Sequence, residues 1–449
     1  MFKCFKDKEF IDKFIKISLP IMLSSLISFC VSFVDNIMVG SVSNEAVSGV
    51  YAANQVSYLF YMAVFGILEG AGIFVQQYNG TEDHEHIKQC VRYKWYITIM
   101  LLIIAMPVVY FLGKYLVIAY SNKDSNFDVI YNEGMSYLRI VAIGYIPGAI
   151  SLIYSYTLRE TGKTVYPMLS STIAIFLNCA LNALFIYGLS MGVIGAAIAT
   201  VIARLFECAF LIIISKVKKF EFAHKTFASF TIEKELFKGL RKKTWALFVN
   251  EIGFAVGMML QSLAFSQRDG VLSSISIVST VSEIFGVFGN GLAVGIGVIV
   301  GSSLGANKLE EAKDATRKLI WLGVWISFLF SIIIASLSPT IPDFFKEVSD
   351  NQKDLATYLI LIFTIVLPFQ TLALISYFTL RAGGRTIETL ILDTGSMVFL
   401  YLPMSWILAV ATNIDTLYIF MMVRGLDIVK AVVGLYLLKK EKWVVNITV

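Results

Sequence analysis

The sequence contains few charged residues. Only 15% of its 449 residues are Asp, Glu, Lys or Arg, whereas 57% are hydrophobic. Because a soluble globular domain carries about 25% charged residues, this composition excludes an ordinary soluble domain. It indicates a protein with many membrane-spanning segments.

Cysteine and histidine are also scarce. The five cysteines show no CxxC or other metal-ligand spacing, so we interpret them as reduced, membrane-buried small side chains. The three histidines, His84, His86 and His224, lie in predicted inner connections, and no HExxH motif is present. These features argue against an intramembrane metallohydrolase, and the lack of a GxxxxGK[ST] loop argues against an ATP-driven pump.

Long hydrophobic runs, in contrast, are abundant. Hydropathy predicts twelve spans, and they must be helical because these runs are too long for the strands of a membrane barrel. The predicted spans cover residues 14–39, 47–76, 95–112, 137–156, 165–187, 193–214, 245–265, 275–300, 319–337, 358–380, 389–410 and 417–438. The predicted fold class is an all-α polytopic membrane protein with twelve transmembrane helices.

Basic residues alternate from one connection to the next. Every second connection is rich in Lys and Arg, including the N-terminal segment, the long connection 216–243 and the C-terminal segment, whereas the others are short or acidic. The positive-inside rule therefore predicts that both termini lie in the cytoplasm.

The two halves of the sequence repeat each other. The run TLRETGKT at 157–164 matches TLRAGGRT at 379–386, which lies 222 residues later, and other pairs recur at offsets of 220–225. The inner linker 216–243 separates six spans from six. We therefore predict an N-terminal lobe over residues 1–220 and a C-terminal lobe over residues 244–449, in the same orientation, with the substrate path between them.

One carboxylate interrupts the first predicted span. An aspartate in hydrocarbon costs about 2.5–3.5 kcal/mol on insertion scales, so Asp35 needs a reason to be there. It either hydrogen-bonds neighbouring helices as a structural polar group or binds a proton or an ion. In the same span, Pro20 removes a backbone hydrogen bond, so we expect it to act as a hinge.

Several motifs of this chain together resemble the MATE (multidrug and toxic compound extrusion) transporters. They are VDNIMVG at 34–40, ANQ at 53–55, LRETG at 158–162, LN at 177–178 and again at 181–182, and GVIGAAIAT at 192–200. The resemblance covers nearly the whole chain. It implies two six-helix lobes around a central cavity, and the exchange of inward-moving H⁺ or Na⁺ for organic, often cationic, compounds.

The resemblance also implies the biochemical setting. We expect an alternating-access antiporter in the plasma membrane of a prokaryote, monomeric and without enzymatic activity, whose partners are small organic cations or other drugs and the lipid bilayer. We expect no cofactor beyond the coupling ion, and no nucleic acid. A lipid-linked oligosaccharide flippase of the same superfamily is the alternative, although it favours a strongly cationic cavity and often extra helices. A channel is a weaker third choice.

The family's cation site in the N-terminal lobe maps onto Asp35, Asn178, Asn182 and Thr200. Asn178 and Asn182 are four residues apart and share a helix face. Na⁺, expected at Asp35 and Asn178, prefers such oxygen ligands, whereas a proton needs only the carboxylate, whose proton affinity rises on desolvation. Many relatives carry aspartate at the position of Asn182. The small polar residues alternatively just join helices.

The C-terminal half offers further candidates. Glu251 matches a glutamate with which one branch of the family binds cations, and Gln370 stands close to where that branch carries a second acid. Asp393 and Glu283 are expected to line the cavity and attract a cationic substrate. A structural role remains open for each of these residues.

Two further patterns predict helix packing. Arg204 with Glu207 and Arg424 with Asp427 are each three residues apart, so each pair can neutralise itself within a helix. The eighth predicted span carries a row of glycines that permits close helix approach or bending. These glycines are Gly291, Gly295, Gly297, Gly301 and Gly305.

Overall fold

The computed structural model describes residues 7–121, 126–224, 226–268, 271–345 and 348–448, and all regular structure in these ranges is helical. The helices are α1 (Lys8–Gly40), α2 (Asn44–Gly80), α3 (His84–Ser121), α4 (Phe127–Ile143), α5 (Tyr145–Glu160), α6 (Val165–Asn182), α7 (Gly192–Val217), α8 (Lys234–Phe265), α9 (Val271–Gly305), α10 (Leu309–Leu337), α11 (Asp350–Ala382), α12 (Thr386–Leu390), α13 (Leu402–Ala411) and α14 (Thr416–Lys439). Single π-helical turns occupy Ala183–Gly188, Ile391–Gly395 and Met397–Tyr401, and short 3₁₀ turns occupy Thr226–Ala228 and Pro342–Phe344.

The membrane-spanning character of the helices follows from their length and composition. Ten helical segments within the described ranges are long and apolar enough to cross a bilayer, and the bent pair α4–α5 raises this number to eleven. The twelfth predicted span corresponds to α14, which has 24 residues but carries Arg424, Asp427 and Lys430 in its middle. The predicted all-α fold is confirmed.

Two predicted spans are not single continuous α-helices. The span predicted over 137–156 is broken at Gly144, where α4 and α5 meet at an angle of 50°. Pro147 lies in the first turn of α5 and has no N–H, so the helical hydrogen-bond ladder cannot continue through this point. The span predicted over 389–410 consists instead of α12, two π-helical turns and α13.

The described chain forms two compact units. One contains the described residues of Met1–Met22, Gln76–Glu82 and Val249–Val449, and we call it the C-terminal unit. The other, the N-terminal unit, contains Leu23–Val75 and the described residues of Asp83–Phe248. Three of the boundaries fall inside α1, α2 and α8, and the fourth lies between Glu82 and Asp83, in the connection from α2 to α3. The lobes 1–220 and 244–449 inferred from the sequence repeat stay a prediction.

Helix α1 begins with a charged anchor in the C-terminal unit. The Asp7 carboxylate accepts a hydrogen bond from Lys318 Nζ on α10 at 2.5 Å and another from the Phe10 backbone N–H at 3.1 Å. Both donors stabilise the ionised carboxylate, so they hold the pKa of Asp7 below its usual range, with Lys318 contributing most.

The glycines of α9 determine how closely other helices approach it within the C-terminal unit. A Cβ added to Gly295 would lie 2.6 Å from Ser18 Oγ on α1, and one added to Gly305 would lie 1.8 Å from the Gln77 carbonyl oxygen on α2. Added Cβ atoms on Gly291, Gly297 and Gly301 would likewise meet α1 or α2 atoms within 3 Å. The close approach predicted from these glycines is confirmed.

A buried ion pair joins α3 to α5 in the N-terminal unit. Lys94 Nζ contacts the Glu160 carboxylate and also lies 3.3 Å from Thr157 Oγ1, and neither member of the ion pair is more than 3% exposed. Gly72 on α2 lies against the Glu160 side chain, where a Cβ would be 2.2 Å from Oε1. A glycine on α2 therefore makes room for the carboxylate.

We expect Gly305→Ala to destabilise the protein, because the new methyl group would overlap the Gln77 carbonyl group. Overpacking of this kind costs about 1–3 kcal/mol, so the thermal midpoint of the purified protein in detergent should fall. Gly286→Ala on the same helix is the matched control, since a Cβ there meets nothing within 4 Å. Equal midpoints for the two variants would contradict this account of α9.

Candidate functional site

A polar cavity of about 370 Å³ lies within the N-terminal unit. Its wall is formed by residues of α1, α2, α6 and α7, including Ser28, Asn54, Ser171, Asn178, Thr200 and Arg204. Oxygen and nitrogen side chains are unusual in a membrane-spanning segment and mark ligand or ion pathways. This cavity is therefore the candidate functional site of the unit.

Two of the predicted amide and hydroxyl residues, Asn178 and Thr200, line this cavity, and the third, Asn182, contacts Asn178. Asn182 Nδ2 lies 3.3 Å from Asn178 Oδ1, and Asn178 Nδ2 lies 3.4 Å from Thr200 Oγ1. Thr200 in turn donates to the Ala196 carbonyl oxygen at 3.0 Å. The structure thus brings Asn178, Asn182 and Thr200 together across α6 and α7, and their role in cation coupling stays a prediction.

Asp35 is placed on the same helix as two cavity residues. Ser28 and Val31 of α1 line the cavity, and the Asp35 backbone follows Val31 by four residues, about one helical turn. The Asp35 side chain itself lies outside the described part of the structure. Its predicted role as the coupling carboxylate stays a prediction.

The pair formed by Arg204 and Glu207 has a second role. The predicted contact is present, with Arg204 Nη1 2.9 Å from Glu207 Oε2, and the Arg204 guanidinium lies 5.5 Å from the centre of the Tyr61 ring. Both charged residues also line the cavity, which their spacing in the sequence did not indicate. In the second repeat, Asp427 instead accepts a 2.5 Å hydrogen bond from Tyr401.

A polar network lies within the C-terminal unit, around Glu251 on α8. The Tyr377 hydroxyl group donates to Glu251 Oε1 at 3.1 Å, and Arg381 Nη1 lies 3.7 Å from the same oxygen. Tyr377 is only 7% exposed, and Arg381 is buried as well. Glu251 is therefore a buried acid with an arginine partner, a pairing that the sequence analysis did not anticipate.

The network continues from Tyr377 to Asp393. Asn250 Nδ2 donates to the Tyr377 hydroxyl oxygen at 3.0 Å and to Asp393 Oδ2 at 3.3 Å. The other carboxylate oxygen of Asp393 lies 2.6 Å from Lys430 Nζ on α14. The sequence analysis predicted Asp393 as a cavity residue but did not identify Asn250 or Lys430.

A π-helical turn holds Asp393 in this position. Asp393 is the middle residue of the turn Ile391–Gly395, and π-helical turns often occur at functional sites. The next residue, Thr394, donates its hydroxyl group to the Asn250 backbone carbonyl oxygen at 2.7 Å. The turn is thereby fixed against α8.

The remaining sequence candidates lie outside these two sites. Gln370 lies two turns before Tyr377 on α11 and is not part of the described network, and Glu283 is exposed on α9. Pro20 is buried within α1, which continues through it as one helix. The predicted hinge role of Pro20 stays a prediction.

One short pattern formally matches a hydrolase motif. Residues 188–192 read GLSMG and fit G-x-S-x-G, but that motif acts on a turn from a strand to a helix. Here the segment joins a π-helical turn to α7. The pattern lacks the context that a nucleophilic serine requires.

The MatE family model matches residues 20–184 and again residues 244–407, once in each repeat. The chain belongs to the MATE family. It is therefore a multi-pass membrane transporter, and the sequence-based assignment to this family is confirmed. The two matches also agree with the internal repeat.

Individual MATE proteins are similar along most of the chain. A Bacillus cereus protein described as probable multidrug resistance protein NorM is 25% identical over 342 residues, which is 72% of each chain. The multidrug and toxin extrusion protein 1 of Oryctolagus cuniculus is 21% identical over 94% of this chain and 74% of its own.

Solved structures share the fold. A MOP superfamily transporter from Pyrococcus furiosus, described by the reverse polarity of its binding pocket, superposes with a TM-score of 0.88 at 16% identity, covering 96% of this chain and 95% of that one. A MATE structure in the straight conformation gives a TM-score of 0.87 at 16% identity, with the same coverage of both chains.

We expect Tyr377→Phe to lower stability because the hydroxyl group both donates to Glu251 and accepts from Asn250. The variant would lose both hydrogen bonds, and a hydrogen bond to a charged group contributes about 1.5–3 kcal/mol. Tyr358→Phe is the matched control on α11, since Tyr358 is exposed. Thermal unfolding of the two purified variants would test this expectation, and a midpoint for Tyr377→Phe that equals the wild-type value would contradict it.

Proposed function

We propose that this protein is a secondary antiporter that exports organic, cationic amphipathic compounds in exchange for H⁺ or Na⁺. The relatives named for multidrug resistance and extrusion support the export of drugs. We further propose that it acts in the plasma membrane of a prokaryote, as a monomer, with both termini in the cytoplasm.

The observation that carries the proposal is the polar cavity of the N-terminal unit. Its wall contains Asn178 and Thr200, whose oxygens suit a hard cation such as Na⁺. The Asp35 backbone lies one turn beyond a cavity residue on α1. A carboxylate near this cavity would complete a site for either H⁺ or Na⁺.

The proposed cycle depends on competition between ion and substrate. Substrate enters from the cytoplasm while Asp35 is ionised. In the outward-facing state, Asp35 takes up H⁺ or Na⁺ from outside, and this favours substrate release. Because the two ligands weaken each other's binding, the coupling must be reciprocal. The ion then leaves to the cytoplasm as the transporter returns.

Pro20 is well placed to couple ion binding to this conformational change. Residues of α1 up to Met22, two positions after the proline, belong to the C-terminal unit, and residues from Leu23 onward belong to the N-terminal unit. Ser18 before the proline lies against Gly295 in the C-terminal unit, whereas Ser24 after it shares a 2.7 Å hydrogen bond with Ser171 in the N-terminal unit. A bend at Pro20 would therefore act where α1 passes between the units.

We expect Asp35→Asn to abolish gradient-driven export because the amide cannot take up a proton or neutralise Na⁺. The measurement is ethidium efflux from proteoliposomes under separately imposed Na⁺ and H⁺ gradients. Wild-type efflux should follow one gradient and fall at least ~10-fold in the variant, which corresponds to about 1.4 kcal/mol in rate.

Asp343→Asn provides the matched control for this charge removal. Asp343 is exposed in the 3₁₀ turn Pro342–Phe344, and its loss should leave efflux unchanged. Full coupled efflux by Asp35→Asn would make Asp35 structural and transfer the coupling role to Glu251. Failure of the wild-type protein to export any organic cation would favour the flippase alternative.

We expect Pro20→Ala to retain ethidium binding but to lose coupled efflux. Alanine restores the backbone N–H and favours a straight helix, whereas the cavity residues are unchanged. Binding to the purified protein and efflux from proteoliposomes should therefore separate. A Pro20→Ala protein with full coupled efflux would remove the support for a hinge in α1.

A further inference from the structure

The ammonium group of Lys430 is held between a carboxylate and an aromatic ring in the C-terminal unit. Lys430 Nζ lies 2.6 Å from Asp393 Oδ1 and 5.6 Å from the centre of the Phe254 ring. The side chains of Lys430 and Asp393 are 16% and 15% exposed, so the pair is largely buried but retains some accessible surface. Aromatic faces attract organic ammonium ions, and a nearby carboxylate supplies the opposite charge.

The carboxylate of this site is fixed, whereas its cation is movable. The side-chain amide of Asn250 donates to Asp393 Oδ2. The Thr394 hydroxyl group in turn donates to Asn250 Oδ1 at 2.9 Å and to the Asn250 backbone carbonyl oxygen at 2.7 Å. Asp393 and the next residue of its π-helical turn are therefore both bound to Asn250. Lys430, in contrast, reaches the carboxylate through a flexible four-carbon stem. The lysine is thus the member of the pair that can leave.

The internal repeat relates Asp393 to a residue that lines the cavity of the N-terminal unit. The two TLR motifs are 222 residues apart, and the residue 222 positions before Asp393 is Ser171. Ser171 lines the cavity of the N-terminal unit. The offset of 220 that relates Arg424 to Arg204 carries Lys430 onto Phe210. The N-terminal repeat therefore lacks both charges, and the ion pair is an addition of the C-terminal repeat.

We propose that Asp393 and Phe254 form an organic-cation site in the C-terminal unit, and that the Lys430 ammonium group occupies this site until a substrate displaces it. The inference rests on the proposed function, namely that the exported compounds are organic cations. It specifies a ligand with a positive charge and an aromatic or apolar surface. A neutral or anionic compound cannot replace the lysine, because the Asp393 carboxylate would lose its counter-ion.

Removal of the competing ammonium group tests the proposal. Ethidium affinity is measured by fluorescence titration of full-length protein in nanodiscs at pH 8. Lys430→Met should lower the ethidium Kd about tenfold, because the carboxylate then has no internal cation and the ligand need not displace one. Lys430→Arg keeps a tethered cation and should bind as wild type does, and Lys439→Met controls for the loss of an exposed lysine on the same helix.

A second variant links the gain in affinity to the carboxylate. In the double variant Lys430→Met/Asp393→Asn the tenfold gain should disappear, since the site has lost the group that the lysine blocked. An unchanged Kd in Lys430→Met, or a gain that survives in the double variant, overturns the proposal.

Labelling of the wild-type protein gives an answer that does not depend on the folding of any variant. A small amine-reactive acylating reagent should modify Lys430 more rapidly in the presence of ethidium, because displacement frees the ammonium group from Asp393. Unchanged or slower labelling of Lys430 overturns the proposal.

If wild-type protein binds and exports ethidium while these tests fail, only the lysine-gated site is wrong. If wild-type protein neither binds nor exports any organic cation, the proposed function fails with it.

Discussion

Ionisable and amide side chains within apolar helices must find their partners inside the protein, and the rest of the structure depends on this constraint. Water is absent from the bilayer core, so each unpaired polar group there costs several kcal/mol. The contact of Lys430 with Asp393 meets the requirement for two charges. The last carbonyl groups of a helix also lack partners within the helix. At the end of α13, the Arg268 guanidinium group donates to the carbonyl oxygens of Leu408, Ala409 and Ile414.

The two repeats meet this constraint differently. In the N-terminal unit Asn178, Asn182 and Thr200 form a hydrogen-bonded group at a polar cavity. The repeat offsets carry these three positions onto apolar residues of the second half, which are Leu400, Met404 and Phe420. Phe420 belongs to an apolar core, and Met404 packs against it. The C-terminal unit instead concentrates its polar groups where α8, α11, α12–α13 and α14 meet, around Asn250.

Helices that belong to both units connect these two arrangements. Helix α8 passes from the N-terminal to the C-terminal unit between Phe248 and Val249, immediately before Asn250 and Glu251. Helix α1 makes the reverse passage just after Pro20. In both helices, a residue of a polar site lies within one to three turns of the point where the helix enters the other unit. In the proposed antiport cycle, these two helices would connect ion binding to substrate binding.

The sequence by itself determined the all-helical class, the positions of most spans, the repeat, the family and the shared face of Asn178 and Asn182. These properties depend on residues that are consecutive or separated by one helical turn, so hydropathy, spacing and motif order are sufficient. The close approach at the α9 glycines was predictable for the same reason.

Only the tertiary structure decided which distant residues meet. Tyr377 and Glu251 are 126 positions apart, and Lys430 and Asp393 belong to different helices. Their contacts depend on how each helix is rotated and on the π-helical turn at Ile391–Gly395, and neither leaves a periodic signal in the sequence. The break at Gly144 was missed because hydropathy averages over a window and does not register a single interrupted hydrogen bond.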